Sequence, residues 1–376
     1  MITKDKLTKN SSGKLIAAGL LALAAILVLT IALQPLEQTK IPGSTNLAVA
    51  EQYQKDIQNE FTKIIFGDVA IAKEYVISDT AIAAPMPNPE CYGEADSPAE
   101  LQWLIDKAET VLQGQKLYFS TDMEIMKGSK VHYYLDDTIL AITWKQVFQR
   151  VVFTYSEVKL LHPSQFRRYL SGGQFGSGQL SLTTEMSQSV NAVVASSADF
   201  YSYRRKGLTV TNGTVHKYVK GVDDTCFVDY DGNLILERDL VFADAAEAQA
   251  YVDEHNVNFT LSFGPILVKD GQNVCPKGYE LGEVKEEYPR AALCQMDNLH
   301  YIFVCSNMEN PYYGALDMIR FADYIHQTGC IHAYALDGGQ TASVAMNNTL
   351  INKVNYGSQR LISDIIYFAT AKPMEE

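Results

Sequence analysis

Basic charge is scarce in this chain. Lys and Arg number 31 against 44 Asp and Glu, a formal charge of −13 over 376 residues. Nucleic acid is excluded as a partner, because phosphate binding needs clustered cations. The notable basic clusters are Arg167-Arg168 and Arg204-Arg205-Lys206. Clusters of this kind are read first as solvated and second as seats for an anionic ligand. Cysteines number six, and none stands in a C-x-x-C pair or at zinc-ligand spacing. The sequence also lacks a G-x-S-x-G elbow, a Walker loop, an H-E-x-x-H helix and a dinucleotide fingerprint. Their absence weighs against serine hydrolase, nucleotide-binding, zincin and dehydrogenase chemistry. No internal repeat is present.

What is there is ordinary globular material, 47% hydrophobic and 20% charged, long enough for one large domain or two. One long apolar run stands apart. Leu15 to Leu33 holds 19 residues without a charge. At the helical rise it spans roughly 28 Å, close to a hydrocarbon core. Lys4, Lys6, Lys9 and Lys14 precede it, and Gln34, Pro35 and Glu37 follow. That asymmetry sets residues 1–14 as a cytoplasmic tail and everything after Leu33 outside the cell. The rival is a cleaved signal peptide, but the small-residue site Ala48-Val49-Ala50 lies far behind the run. An uncleaved single-pass anchor in the cell membrane is the expectation. The exported cysteines permit disulfides, although a domain this large more often keeps them as buried small hydrophobes.

Residues 34–114 read as a helical stalk and linker region. Tyr53, Ile57, Phe61, Ile64 and Ile65 have helical spacing. Pro85, Pro87 and Pro89 mark an irregular loop, and Ser97-Pro98-Ala99-Glu100 is a capping box that opens a helix. From Lys116 the pattern turns to strand, with Val131–Tyr134, Thr138–Trp144 and Val151–Lys159 rich in β-branched and aromatic residues. Asn212-Gly213, Asp231-Gly232 and Asp270-Gly271 are hairpin signals. Ala245–Glu254 reads as a short helix, and Arg290–Cys305 as a hairpin turning at Asp297-Asn298. The segment 115–372 is therefore an α+β domain of mixed, largely antiparallel sheets with flanking helices, preceded by the transmembrane helix.

Chemistry-bearing residues stand at the ends of apolar strands. After an amphipathic helix over 315–328 and the stop at Gly329, a short apolar strand from Cys330 to Leu336 runs into Asp337-Gly338-Gly339-Gln340-Thr341. A carboxylate released there, with glycines that admit a ligand to the backbone, makes a site; a tight turn with a capping Asp is the structural alternative. Asp199 likewise follows a buried run, flanked by Phe200 and Tyr201, which serve either as a sugar platform or as core. Gly264-Pro265 in Leu261-Ser262-Phe263-Gly264-Pro265 marks either a close backbone approach or a sharp bend. Arg290, at the start of a buried strand, needs an anionic partner, from the protein or from a substrate. His162 and His300 are acid–base candidates, though lone histidines are more often structural.

The order and spacing of these segments resemble the phosphodiester glycosidase family, whose members include bacterial surface proteins described as exopolysaccharide-related. The likeness runs over roughly 115–372. Ser156–Phe166 is similar to the family's early strand and loop, and Val190–Tyr201 to its N-A-x-x-A-x-x-G-D-Y-Y-like strand. Thr211-Asn212-Gly213 matches its N-G turn and Phe259–Asp270 its S-F-G-P-x-L-V segment. Pro289-Arg290 with Leu299–Val304, then Gly314–Gly339, resemble its P-R-T-A-I-G hairpin and L-D-G-G-G-S-S segment. The chain departs from the pattern at Ala198, where the family has Gly, at Ala291-Ala292-Leu293-Cys294, and at Gln340-Thr341-Ala342. Ser306-Asn307-Met308-Glu309 replaces the family's D-G-R.

The resemblance implies an extracellular hydrolase that cleaves a sugar-1-phosphodiester in surface or environmental glycan. It casts Asp337 and Asp199 as the acidic pair, Arg290 as the phosphate clamp, and Asn212, Thr341, Gly338 and Gly339 as substrate-binding residues. A divalent cation on Asp337 is the one cofactor considered, and ligand spacing lends it no support. The alternative is a catalytically inactive glycan- or teichoic-polymer-binding domain of the same fold, which the missing D-G-R favours. A third reading is a structural envelope protein with bridged cysteines.

Overall fold

A computed structural model of the chain describes residues 84–199, 201–221, 224–279, 284–307 and 315–372. The tail at 1–14, the expected span at 15–33 and the stalk helix over 47–65 lie outside the described residues. Among the described residues no helix is long and apolar enough to cross a membrane.

The elements run β1 (Tyr92–Ala95), α1 (Pro98–Lys107), α2 (Glu109–Leu112), β2 (Val131–Leu135), β3 (Ile139–Phe148), β4 (Val151–Leu160), β5 (Phe166–Leu170), α3 (Thr183–Ser189), β6 (Val194–Ser197), β7 (Gly207–Thr211), β8 (Thr214–Val219), β9 (Asp224–Asp229), β10 (Leu234–Arg238), α4 (Ala245–Glu254), β11 (Val257–Leu261), β12 (Ile266–Lys269), β13 (Gln272–Asn273), β14 (Arg290–Asp297), β15 (His300–Asn307), α5 (Met318–His326), β16 (His332–Leu336), β17 (Val344–Met346), β18 (Thr349–Leu350) and β19 (Asp364–Phe368). They form a nine-stranded sheet in the order β1-β2-β3-β4-β15-β14-β16-β12-β13, a five-stranded sheet β18-β17-β6-β19-β5, a three-stranded sheet β10-β9-β11, and the hairpin β7-β8. Every pairing among these strands is antiparallel. This is the α+β class expected from the sequence.

The nine-stranded sheet is covered on both faces, which explains why β4 is buried at every position. Strand alternation sorts its residues between two cores. Ala292 and Cys294 of β14 face Leu101, Leu104, Phe321 and Ile325 from α1 and α5. Ala291 and Leu293 face Val194, Val344, Ile366 and Phe368 of the five-stranded sheet. Smaller cores lie under α3 and under α4.

Residues ahead of 115, read from the sequence as stalk and linker, also contribute to the main sheet and its core. β1 pairs with β2, and Leu101, Leu104, Val111 and Leu112 enter the main core. Helix α1 begins as the sequence predicts: Ser97 Oγ accepts from Glu100 N, and the Glu100 carboxylate accepts from Ser97 N. Its apolar stripe is what brings residues 97–112 into the domain. Among the hairpin signals, Asn212-Gly213, Asp231-Gly232 and Asp270-Gly271 join β7–β8, β9–β10 and β12–β13.

Candidate functional site: a buried carboxylate–guanidinium cluster beside Asp337

Three aspartates are delivered to one place because β6 pairs with β19 and the end of β16 meets the end of β6. Asp199 leaves the end of β6, Asp364 opens β19 beside it, and Asp337 leaves the end of β16. The Asp337 N–H donates to Ala198 O at 3.0 Å, which ties the end of β16 to the end of β6. The Asp199 N–H donates to Asp364 Oδ2 at 3.3 Å.

Two of these carboxylates are sealed. Asp199 has no exposed side-chain surface. Arg204 grips it with Nη1 at 2.7 Å from Oδ1 and Nη2 at 2.9 Å from Oδ2, and the Ser262 N–H donates to Oδ2 at 3.1 Å. Arg168, in the middle of β5, donates through Nε to Asp364 Oδ2 at 2.9 Å and lies 3.5 Å from Asp199 Oδ2. Guanidinium groups also reach main-chain carbonyls, Arg168 that of Thr260 and Arg204 that of Ser262. Burial works to raise the Asp199 pKa, but Arg204 and then Arg168 outweigh it and hold the carboxyl below its ordinary value. Asp364, buried and sharing Arg168 with a second carboxylate, is pushed up to about 6.

Asp337 differs from both. It remains partly accessible, at the mouth of the cluster. Dense surroundings raise its pKa to about 7, with Asp364 and Asp199 adding to the rise and the Thr341 hydroxyl and Arg360 opposing it. Its two glycines are packed against the start of β14. Gly339 N donates to Pro289 O at 2.7 Å, and a Cβ on Gly338 would lie 2.7 Å from that same oxygen. Thr341 Oγ1 donates to Gly338 O at 2.6 Å, which closes the turn.

The glycine-rich segment 171–178 lies alongside. Phe175 stacks on His216 with ring centroids 5.2 Å apart and packs on Tyr201 at 5.5 Å. The Arg168 guanidinium lies over the Tyr201 ring at 5.7 Å. Burial and then Arg168 lower the His216 pKa, which keeps the imidazole neutral near pH 7.

The expected residues are thus only partly brought together. Asp337, Thr341, Gly338, Gly339 and Asp199 meet. Arg290 turns its guanidinium to main-chain carbonyls: its Nε donates to Leu316 O at 3.1 Å and its Nη2 to Glu286 O at 2.6 Å, with the Tyr288 ring over it. The cations around the carboxylates are Arg168, Arg204 and Arg360 instead. Asn212 sits at the tip of the β7–β8 hairpin with φ +48°. It is about 13 Å along the strand from Leu208, whose N–H meets Ser262 Oγ beside the cluster. Its turn serves the α4 side, where Gln249 Nε2 donates to Gly213 O. His300 pairs with buried Glu157 at 2.7 Å, and Glu157 accepts from the Tyr118 and Phe119 N–H groups. His162 caps a short turn through Ser164. Neither histidine joins the aspartates.

Sequence reasoning missed Asp364 and Arg360, and it held Arg168 and Arg204 only as members of basic clusters open to an anionic ligand. A signal was present for the first, since Asp364 heads the apolar run Ile365–Phe368 much as Asp337 ends one. Gly264 does admit a close approach, because a Cβ there would collide with the Tyr279 ring. Among the described residues no group of three or more His, Cys, Asp and Glu is arranged to hold a metal ion. A separate concavity of about 280 Å³, lined by Trp103, Lys107, Asp136 and Asp137 among others, contains none of the site residues.

No curated protein matches this sequence. Among solved structures, the catalytic domain of zebrafish N-acetylglucosamine-1-phosphodiester alpha-N-acetylglucosaminidase, auto-inhibited by its pro-peptide, is similar with a TM-score of 0.50. It is 16% identical, and the match covers 62% of this chain and 83% of that one. A hypothetical protein from Synechocystis is 15% identical with a TM-score of 0.45, covering 64% of each chain. At such identities the likeness to the zebrafish enzyme speaks to fold. The family comparison covers the stretch that supplies all three aspartates: residues 190–369 match the phosphodiester glycosidase (NAGPA) family model.

Proposed function

We propose that this chain is an extracellular, membrane-anchored hydrolase that cleaves a sugar-1-phosphodiester in surface or environmental glycan. The observation that carries this reading is the state of Asp337, a carboxyl of a partly accessible residue at a strand end, with a pKa raised by burial to about 7. A carboxyl so poised is protonated in a large fraction of molecules at neutral pH and still gives up its proton readily. In the reaction the bond between C1 of the sugar and the phosphate oxygen breaks. Its electron pair stays on that oxygen, which takes the Asp337 proton. Water adds to C1, and the proton it loses restores Asp337. Asp199 and Asp364 do not touch substrate in this scheme. They are positioning residues, holding β6, β19 and the two guanidinium groups so that the floor under Asp337 stays charge-paired and rigid. The family match supplies the reaction class, and the name of the zebrafish relative states a sugar-1-phosphodiester as its substrate. The anchor rests on the charge-free run 15–33 behind its lysines.

The test is release of free sugar from a panel of sugar-1-phosphodiesters by the full chain in detergent, with Asp337→Asn alongside. A loss of about 100-fold or more in kcat is expected for the variant; equal turnover by the variant sinks the reading. Membrane fractionation with protease protection of intact cells tests the anchor.

A second reading, binding of a glycan or teichoic-type polymer without turnover, is favoured by one observation. A glycosidase commonly uses two accessible carboxylates, and the second one expected here, Asp199, is sealed by Arg204. Tight binding of such a polymer with no release of sugar across the panel establishes that alternative.

A further inference from the structure

We infer that residues 354–361 form the substrate-recognition arm of the Asp337 site, with Arg360 binding the phosphate and Tyr356 stacking on the sugar. The inference rests on the reading above and deepens it.

The segment packs its Asn355–Gly357 turn against the Gly339–Thr341 turn that follows Asp337. It is fastened along its length. Gln340 Nε2 donates to Ser358 O at 3.1 Å. Gln359 and Thr184 exchange two hydrogen bonds, Thr184 N to Gln359 Oε1 at 3.3 Å and Gln359 Nε2 to Thr184 Oγ1 at 3.0 Å. Ile362 pairs with Ser181 through hydrogen bonds of 2.9 and 3.1 Å. The backbone is therefore pinned on both sides of Arg360, while the Arg360 side chain is exposed and close enough to lower the pKa of Asp337. A guanidinium held by its main chain and left open at the side chain is suited to a phosphate, which it can bind through two parallel hydrogen bonds. It belongs to the segment fastened to the turn that follows the carboxyl that has to protonate the phosphate's bridging oxygen.

Tyr356 is the second half of the arm. It is 84% exposed, the most exposed of the large apolar or aromatic side chains among the described residues. It also has φ +61° and is followed by Gly357 at φ +75°. A non-glycine residue in the left-handed region, holding an aromatic ring out into water, gains nothing from burial. Such outliers cluster where a ligand is clamped. An aromatic ring exposed on the turn that packs against Gly339–Thr341 fits the apolar face of a pyranose.

The experiment measures binding of a non-hydrolysable sugar-1-phosphonate ester and of the neutral methyl glycoside of the same sugar, by calorimetry, alongside turnover of the sugar-1-phosphodiester. The proteins are the wild type, Arg360→Gln, Arg360→Lys and Tyr356→Phe and Tyr356→Ala. Unfolding midpoints are recorded for each, and both side chains being exposed, the midpoints are expected to stay at the wild-type value. Arg360→Gln is expected to weaken phosphonate binding and raise KM at least 10-fold with neutral glycoside binding unchanged, and Arg360→Lys to recover part of the loss. Tyr356→Ala is expected to weaken both ligands, and Tyr356→Phe neither. Phosphonate binding that Arg360→Gln reduces, in a chain that turns nothing over, upholds the arm and overturns the hydrolase reading. Turnover that both substitutions leave unchanged overturns the arm and leaves the hydrolase reading standing. Absence of any phosphonate binding by the wild type overturns the arm.

Discussion

Arg204 holds both carboxylate oxygens of Asp199, at 2.7 and 2.9 Å, with neither side chain meaningfully exposed to solvent. The two residues are five apart in sequence, and the pair bridges the connection between β6 and β7. Removing one member of such a pair leaves the other as a buried, uncompensated charge. Asp199→Ala is therefore expected to cost about 3–5 kcal/mol of unfolding free energy. A double substitution of Asp199 and Arg204 by apolar residues should cost less than the sum of the single changes. Chemical denaturation measures both. A cost below about 1 kcal/mol for Asp199→Ala would show that the pair does not hold the site together.

That pair also marks how far the sequence was readable. Strand positions in β2, β3 and β4, helix α4 and three hairpin turns follow from local rules, because alternation, capping and Asx-Gly turns act over a few residues. Asp337 was found because its signal is local too: an apolar run that ends in an acid and two glycines. Arg168 and Arg204 sat in visible basic clusters, but solvation is the default for such clusters, and only the pairing of β5 with β19 and the packing of β11 make them interior. Arg290 shows the reverse. An arginine at the head of a buried strand does need partners, and the carbonyls of Leu316 and Glu286 are among those it finds. Burial says that a partner exists; which partner depends on contacts distant in sequence. The membrane span falls on residues outside those described.

Asp337 makes stability depend on pH with a definite sign. Its folded pKa, about 7, lies above the unfolded value near 3.8. Between the two, the unfolded chain gives up the proton while the folded chain keeps it, so stability is greatest below the unfolded value and falls as pH rises toward 7. Asp337→Asn removes this loss. The variant is expected to be more stable than wild type at pH 8, by about 2 kcal/mol once screening at its open side is allowed for, and equal to it near pH 4. Denaturant midpoints across this range measure the difference. A gap independent of pH would mean that the carboxyl titrates normally. The same pKa predicts that turnover declines above pH 7, as the acid form is lost.

All six cysteines are free: Cys226, Cys294, Cys305 and Cys330 are buried, and Cys91 and Cys275 are half-buried. Burial pushes the Cys275 and Cys305 thiols up to about 12 and raises that of Cys226 further. Thiolate, the reactive form, is therefore scarce at neutral pH. A thiol reagent at pH 8 should label the folded protein slowly and at no more than two sites, and the denatured protein at all six. Fewer than six in denaturant without reductant would favour the bridged envelope protein over the enzyme.

Gly338 and Gly339 are adjacent, and substitution separates their reasons for being glycine. Gly338 has φ −109°, open to any residue, but a Cβ there would press on Pro289 O, an atom of the main chain that cannot swing away. Gly339 has φ +65°, and a Cβ there meets nothing within 4 Å. The first is a requirement of space and the second of backbone conformation. Asn tolerates the left-handed region better than other side chains. Gly339→Asn is thus expected to fold with a loss below about 1 kcal/mol, and Gly339→Val with a loss of about 1–2 kcal/mol or more. At Gly338 the choice of residue should not matter: Asn and Ala each cost about 1–3 kcal/mol and push Asp337 away from β6, with turnover falling alongside stability. Unfolding midpoints of the four variants decide between the two causes. Rescue of Gly338 by Asn would show that the turn, rather than the contact with β14, dictates the glycine.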